Sequence, residues 1–527
     1  MNEGLFAGLD VSTQSCKLVV LDATAGRVVH VDAVEYDSDL PQYETEGGTV
    51  RGPEEGVSES DPRMWIEAVR TVLGRLAGSS VDASRIRCIS VSGQQHGLVA
   101  LDERGELARP LSKLWNDYST LEECELLTQR IGGPERMIEE VGNVQRPGYT
   151  AGKILHMVRR EPESYRRAST LFLVHDFINW YLTGGVAAME PGDASGMAVW
   201  NPATGRFSDA VLDAIDPDLS SKLPDVGPSD RTIGSIAPEL ASSFGLSPSC
   251  RVDAGSGDNM YGAIGTGNVA PGVVTISLGT SGTIYTVREE PWLDPSGEIA
   301  AFRDSTGRHL PLLCVSNMAN GYAAVRQRFG LSHQDFDELI DASEPGNGGR
   351  LVLPWYEGER TPDLPLAAPL YFGFQIDDFG PEVLARAVLE GHVLNLHAGF
   401  ARMPVTSSEV RLTGGLARSP SWRQVIADVF AVDVVSVEGE GAALGAAIHA
   451  AWVWGKEAGA DVSLAELVDR CVPVDVTRRT TPKAGSAEAY RRLRALFQAL
   501  RDRILGQGGA DPFSLRADLL KATGADG

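Results

Sequence analysis

Cysteine is scarce. The 527 residues hold six, at 16, 88, 124, 250, 314 and 471, and no two stand close enough for a Cys-x-x-Cys redox or metal pair. In so large a chain a disulfide framework is not expected; reduced thiols of the cytoplasm are. Positive charge is short as well: 47 Lys and Arg against 71 Asp and Glu leave a net charge of −24. That balance argues against nucleic acid and anionic membrane as partners, since both attract basic surfaces. No apolar run is long enough to span a bilayer, and the longest weakly polar stretch, Ala442 to Trp454, contains His449. The N-terminus, MNEGLFAGLD, is acidic and enters a strand at once, so no signal peptide is expected. Gly-x-x-x-x-Gly-Lys-Ser/Thr is missing, which excludes a P-loop enzyme, and so is the His-Glu-x-x-His zinc motif. Gly265-x-Gly267-x-x-Ala270 fits a dinucleotide fingerprint only superficially, because it precedes a strand instead of following one.

With 43% hydrophobic and 22% charged residues the chain is an ordinary globular protein, and its length suits two domains. Two loaded pieces stand close together in 253–285. Gly257-Asp258-Asn259 sets an acid between a small residue and an amide at the start of an expected helix. Val273–Ile276 and Thr283–Thr286 read as strands around Ser277-Leu278-Gly279-Thr280-Ser281-Gly282. The glycines bring backbone close to a ligand, and the N–H groups with the Thr280 and Ser281 hydroxyls suit a phosphate chain. An acid beside a phosphate cradle points to phosphoryl transfer onto a hydroxyl. The same device recurs at the N-terminus: strand Leu5–Asp10, turn Val11-Ser12-Thr13-Gln14-Ser15, return strand Lys17–Leu21.

Residues 31–60 carry nine Asp or Glu against one Arg and read as a solvated loop or excursion. Asp61-Pro62 starts a helix. Strand 86–92 ends in Gly93-Gln94-Gln95-His96-Gly97, where open α/β sheets present ligand groups. Lys113-Leu114-Trp115-Asn116-Asp117 follows; Trp can cover the apolar face of a sugar while Asn and Asp bond its hydroxyls. A lone strand-end His or a lone Trp is more often structural. Strand 409–413 runs into Gly414-Gly415, which lets a flat ring or phosphates reach the backbone. Residues 439–447 open a small-residue helix placed against the nucleotide, and 486–505 is an amphipathic helix with Tyr490, Leu493, Phe497, Leu500 and Ile504 in register.

Two hydroxyl-rich hairpins, each heading a half of the chain, with SGQQHG, LWND, RPGYT before Lys153, DASG at 193–196 and Gly414-Gly415 in this order, resemble the FGGY family of carbohydrate kinases, and within it the xylulokinases. The resemblance runs from Gly8 to about Ala451. It implies an α/β fold of two actin-like (ribonuclease H-like) domains with a cleft between them. The expected limits are 1–250 for the sugar-binding domain, 251–485 for the domain with base and ATP site, and 486–527 for a helical tail.

It also implies ATP-dependent phosphorylation of a ketopentose, D-xylulose to D-xylulose 5-phosphate. Asp258 is then the general base. Mg²⁺ is held by Asp10 and Asp258, and the phosphates by Ser12, Thr13 and Gln14 with Gly279, Thr280 and Ser281. Gly414 and Gly415 take the adenosine, and Gln95, His96, Trp115, Asn116, Asp117 and Asn259 the sugar. DASG is given no catalytic role. Two departures stand out: Ser12 where many relatives have Gly, and Gln95 where Met is common. A kinase for ribulose, a heptulose or a polyol remains open, as does a non-enzymatic actin-like ATP-binding module, and Asp258 could instead cap its helix. The expected partners are a small sugar and ATP, without nucleic acid or membrane; a homodimer is left open.

Overall fold

Largely apolar runs at 5–9 and 88–91 make strands buried on both faces, as parallel strands covered by helices require. They centre the sheet of the first unit in a computed structural model that describes residues 4–50, 56–439, 441–460 and 462–523. Its strands are β1 (Leu5–Val11), β2 (Ser15–Asp22), β3 (Arg27–Glu35), β4 (Ile86–Gly93), β5 (Thr232–Ser235), β6 (Arg251–Asp253) and β7 (Ser256–Gly257). The order is β5-β6-β4-β1-β2-β3, with β7 continuing beside β4. β1, β6 and β7 run parallel to β4, while β1-β2-β3 is an antiparallel meander.

The second unit repeats the plan with β8 (Val273–Leu278), β9 (Gly282–Thr286), β10 (His309–Val315, in this unit from Leu312 on), β11 (Glu409–Thr413) and β12 (Asp433–Ser436). The meander is β10-β9-β8, and β11 and β12 extend it in parallel. The expected hairpins therefore form at both places, each as the first antiparallel pair beside a parallel strand.

The compact units do not follow the expected boundary at 250. The first comprises 1–270, 287–311 and 439–472; the second comprises 271–286, 312–438 and 473–527. The Gly441–Glu457 helix thus belongs to the first unit, where it packs on β1, β4 and the Asp258–Gly265 helix. Its small residues serve that contact: a Cβ on Gly445 would lie 1.9 Å from the Tyr261 carbonyl oxygen, and one on Gly8 2.0 Å from that of Ala443. His449 of this helix is buried, with Nδ1 2.8 Å from Asp253 Oδ2 and 3.1 Å from the Tyr261 hydroxyl. Glu440, next to its start, lies outside the described residues, as do 51–55 and 524–527.

The described residues of the 31–60 stretch form an excursion, as expected, with Glu35, Asp37, Asp39, Glu44 and Glu46 exposed, but one with regular structure. β3 runs on to Glu35, and short strands at 45–46, 49–50 and 59–60 form a four-stranded sheet with Ser112–Lys113. Tyr36 and Ser60 are buried in it, and the Asp37 carboxylate closes its turn by accepting from Thr45 Oγ1 and the Gly47 and Gly48 N–H groups. The tail helix Ala487–Ile504 packs in the second unit, where Tyr490 donates to Glu390 Oε1 at 3.0 Å. Ile504 differs from expectation: at the last turn it is exposed. Among the described residues no helix is long and apolar enough to cross a membrane.

Candidate active site

Strand register builds the first half of the site. Asp10 on β1 is level with Ser92 on β4, and Ser92 with Ser256 on β7; one step on, Val11, Gly93 and Gly257 are level. All lie at the carboxyl ends of parallel strands, the edge where open α/β sheets bind ligands. Asp10 Oδ1 accepts from the Ser92 hydroxyl at 2.7 Å. Burial raises the Asp10 carboxyl above its ordinary range, against Ser92 and Lys17.

Asp258 follows as the first residue of its helix. The cap position belongs to Gly257, so the side chain of Asp258 is not spent as a helix cap. Its Oδ1 accepts from Asn259 Nδ2 at 2.9 Å. Burial first, then the charges of Asp10 and Asp193, push its carboxyl up to about 7. A carboxylate poised there suits a general base at neutral pH. Among the described residues no three His, Cys, Asp or Glu side chains gather as a metal cage. Two carboxyls that each resist ionisation fit Mg²⁺ instead, which takes one or two carboxylates and completes its shell from water and phosphate oxygens.

Behind Asp258 stands a group that sequence reading left without a task. His175 is buried, with Nδ1 2.9 Å from Asp193 Oδ2 and Nε2 2.9 Å from Asp176 Oδ1. Burial lowers its basicity, but the two carboxylates outweigh it and hold the imidazolium well above the usual range. Glu190 accepts from the N–H groups of Gly192 and Asp193 and the hydroxyls of Ser229 and Ser256, at 2.6–2.9 Å. It thereby ties the Asp193 turn to the residue two before Asp258. The DASG motif and the adjacent His175-Asp176 were the available signal; only their contacts reveal the role.

Around His96 the chain is strained and braced. His96 has φ +67°, uncommon for a side-chain-bearing residue. Its carbonyl accepts from Lys153 Nζ at 2.6 Å, and the same ammonium donates to the Gly148 carbonyl at 2.7 Å. Lys153 is fully buried, and desolvation lowers it to about 7. The imidazole packs on Tyr149 and Phe302, with ring centroids at 4.8 and 5.9 Å, and Gly196 leaves it room. Gln95 Oε1 accepts from Asn259 Nδ2 at 2.8 Å, so the departure at 95 orients the amide beside Asp258.

Ser12 meets the other departure without strain. It is not among the left-handed residues, and its N–H and hydroxyl both donate to the Ser15 carbonyl. Thr13 Oγ1 donates to Gln94 Oε1 and accepts from Trp115 Nε1. Its hydroxyl hydrogen is therefore committed within the protein, while Gln14 is exposed. Trp115 is 38% exposed and Asn116 half-buried. Asp117 is buried, and its oxygens accept from Ser58 N, Ser119 and Lys113. It braces the segment more than it offers a free acceptor.

The second unit assembles the remaining residues by itself. Gly279, Thr280 and Ser281 are exposed at the β8–β9 turn, whose shape is held by Gly279 N–H on the Ser281 carbonyl and by Met318 and Ala319 N–H on that of Thr280. Gly414 follows β11, with Ser277 level with Thr413. At φ +91° a Cβ there would meet the Leu278 carbonyl oxygen at 2.4 Å, whereas Gly415 faces open space. The two glycines and the hydroxyl turn thus share one sheet edge.

Residues 5–265 match the N-terminal domain, and 274–454 the C-terminal domain, of the FGGY family of carbohydrate kinases. The chain is 33% identical over 499 residues to a xylulose kinase of Haemophilus influenzae, covering 92% of this chain and 97% of that one. It is 35% identical over 456 residues to a xylulose kinase of Streptomyces coelicolor, covering 85% and 87%. The solved xylulose kinase of Bifidobacterium adolescentis is similar with a TM-score of 0.78 at 27% identity, covering 94% of this chain and all of that one.

Proposed function

Because the chain belongs to the FGGY family of carbohydrate kinases, we propose that it transfers the γ-phosphoryl group of ATP to the terminal hydroxyl of D-xylulose, giving D-xylulose 5-phosphate. It is a carbohydrate kinase of two-domain actin-like fold. The observation that carries the reading is Asp258, set beside Asp10 at the sheet edge with its carboxyl pushed up to about 7. Asp258 accepts the proton of the attacking hydroxyl, a role contributing about 100- to 10,000-fold in rate. Asn259, oriented by Gln95, and the braced His96, Trp115 and Asn116 hold the sugar. Asp117 keeps that segment in place.

Asp10 and Asp258 are the residues that would hold Mg²⁺; when bound, the ion neutralises charge on the phosphate oxygens. Ser12–Gln14 contributes mainly backbone and the Gln14 side chain to the phosphates, since the Thr13 hydroxyl hydrogen is engaged. Gly279–Ser281 serves the phosphates and Gly414-Gly415 the adenosine. The free thiols of Cys16, Cys88, Cys124, Cys250 and Cys471 support a reducing, cytoplasmic setting.

The test is ADP release in a coupled assay over a panel of ketoses and polyols. Release that depends on D-xylulose supports the proposal. Preference for ribulose or a polyol moves the substrate within the family, and ATP hydrolysis indifferent to any sugar removes the kinase reading of the site.

A further inference from the structure

The acidic stretch that sequence reading left to solvent touches both halves of the first unit's site. At one end it lies on the Ser12–Gln14 turn. Tyr36 N–H donates to the Gln14 carbonyl at 3.0 Å, and its hydroxyl to that of Ser12 at 3.3 Å. Gly48 sits so close, at φ +78°, that a Cβ would stand 1.8 Å from the Thr13 carbonyl oxygen. The Asp37 carboxylate fixes this approach by accepting from Thr45 Oγ1 at 2.7 Å, Gly47 N at 2.6 Å and Gly48 N at 3.0 Å.

At the other end, Ser58 holds the expected sugar segment. Its N–H donates to Asp117 Oδ2 at 2.9 Å, its hydroxyl to Asn116 Oδ1 at 2.7 Å, and its carbonyl accepts from Leu114 N–H at 2.9 Å. The bond fixes the Asn116 amide, whose N–H₂ donors and second oxygen lone pair are left to meet a sugar hydroxyl. The Ser60 hydroxyl joins the two arms by donating to the Gly48 carbonyl at 2.5 Å.

We propose that residues 36–50 and 56–60 form a strap that preorganises the Ser12–Gln14 turn and the Trp115–Asp117 segment as one body, making Asp37 and Ser58 positioning residues for nucleotide and sugar together. The inference rests on reading those two segments as ATP and sugar contacts. Its physical content is a shared equilibrium. Loosening the strap populates a state in which neither segment is in place, and the apparent affinity of each ligand falls by the fraction still competent. Whichever ligand binds first restores the strap, so the second binds at full strength. The factor is the same in both directions, because coupling between sites is reciprocal. A purely local role for either arm weakens one ligand alone.

The experiment uses the full chain and two variants: Asp37→Ala removes the carboxylate that holds the Gly47-Gly48 turn, and Ser58→Ala removes the hydroxyl bond to Asn116 while its main-chain bonds to Asp117 and Leu114 remain. Calorimetry gives Kd for D-xylulose and for a non-hydrolysable ATP analogue with Mg²⁺, each alone and with the other saturating. In either variant both single-ligand Kd values should rise by a common factor of about fivefold or more. Each should return to within about twofold of wild type when the other ligand saturates, with kcat at saturation unchanged. A rise for one ligand only, a rise the partner ligand does not relieve, or no rise in either variant overturns the strap. Failure of the substrate reading shows separately, as wild-type protein that phosphorylates no D-xylulose. The same titrations then use whichever sugar of the panel is phosphorylated.

Discussion

Replacing Asp258 with Asn separates a catalytic carboxylate from a structural one, because the two roles predict opposite stability changes. The side chain is isosteric, and the helix keeps its glycine cap. What changes is the charge that burial, Asp10 and Asp193 oppose. A folded-state value of about 7 against an ordinary 3.8 sets a ceiling of about 4 kcal/mol on the cost of ionising this group in the native protein. The side chain is partly exposed, so solvent screening keeps the cost below that ceiling.

The sign follows from the raised value. Between about pH 4 and 7 the native state keeps a proton that the unfolded chain has released, so wild-type stability falls as pH rises through that window and stays low above it. Asn does not titrate. Asp258→Asn should therefore be the more stable protein at pH 8, with the gap closing towards pH 4. Urea midpoints in the absence of ATP, sugar and divalent ions measure it. Turnover of the same preparation should drop by about 100-fold or more. A variant that turns over normally, or one that is less stable than wild type at pH 8, refutes the reasoning.

Asp10→Asn should raise the Mg²⁺ concentration needed for half-maximal rate while leaving the fold intact; an unchanged Mg²⁺ titration would separate Asp10 from the metal. Lys153→Met strips the buried ammonium from the His96 and Gly148 carbonyls, at about 1–3 kcal/mol for Gly148 and less for His96, which keeps the Thr150 hydroxyl, and should raise KM for the sugar more than it lowers kcat. Partial recovery of KM in Lys153→Arg would mark the positioning role, and a KM equal to wild type in Lys153→Met would deny it. Gly445→Ala forces a methyl against the Tyr261 carbonyl, which backbone cannot yield, and should cost at least about 1–3 kcal/mol by urea unfolding. A change below about 0.5 kcal/mol would show that the helix has room to move.

The local devices were legible because local patterning encodes them. Apolar or β-branched runs on either side of a turn rich in hydroxyls or glycine specify a hairpin wherever the strands go, and both hairpins form as expected. Gly257-Asp258-Asn259 alone fits a helix cap as well as a base, and only the order of the motifs around it favours the base. Contacts between distant segments are another matter. That the Gly441–Glu457 helix covers β1, that Glu190 grips Ser256, and that Ser58 holds Asn116 depend on pairings which no period of 2 or 3.6 announces. The acidic stretch is exposed as its carboxylates suggest, but the small sheet it forms and the N–H groups that Asp37 gathers could not be read from the charge run. The elevated Asp258 carboxyl is also a product of tertiary structure, since only folding brings residues 10, 193 and 258 together and takes water from between them. Sequence by itself nominated the groups that could do the chemistry; burial and long-range register decided how each one is set.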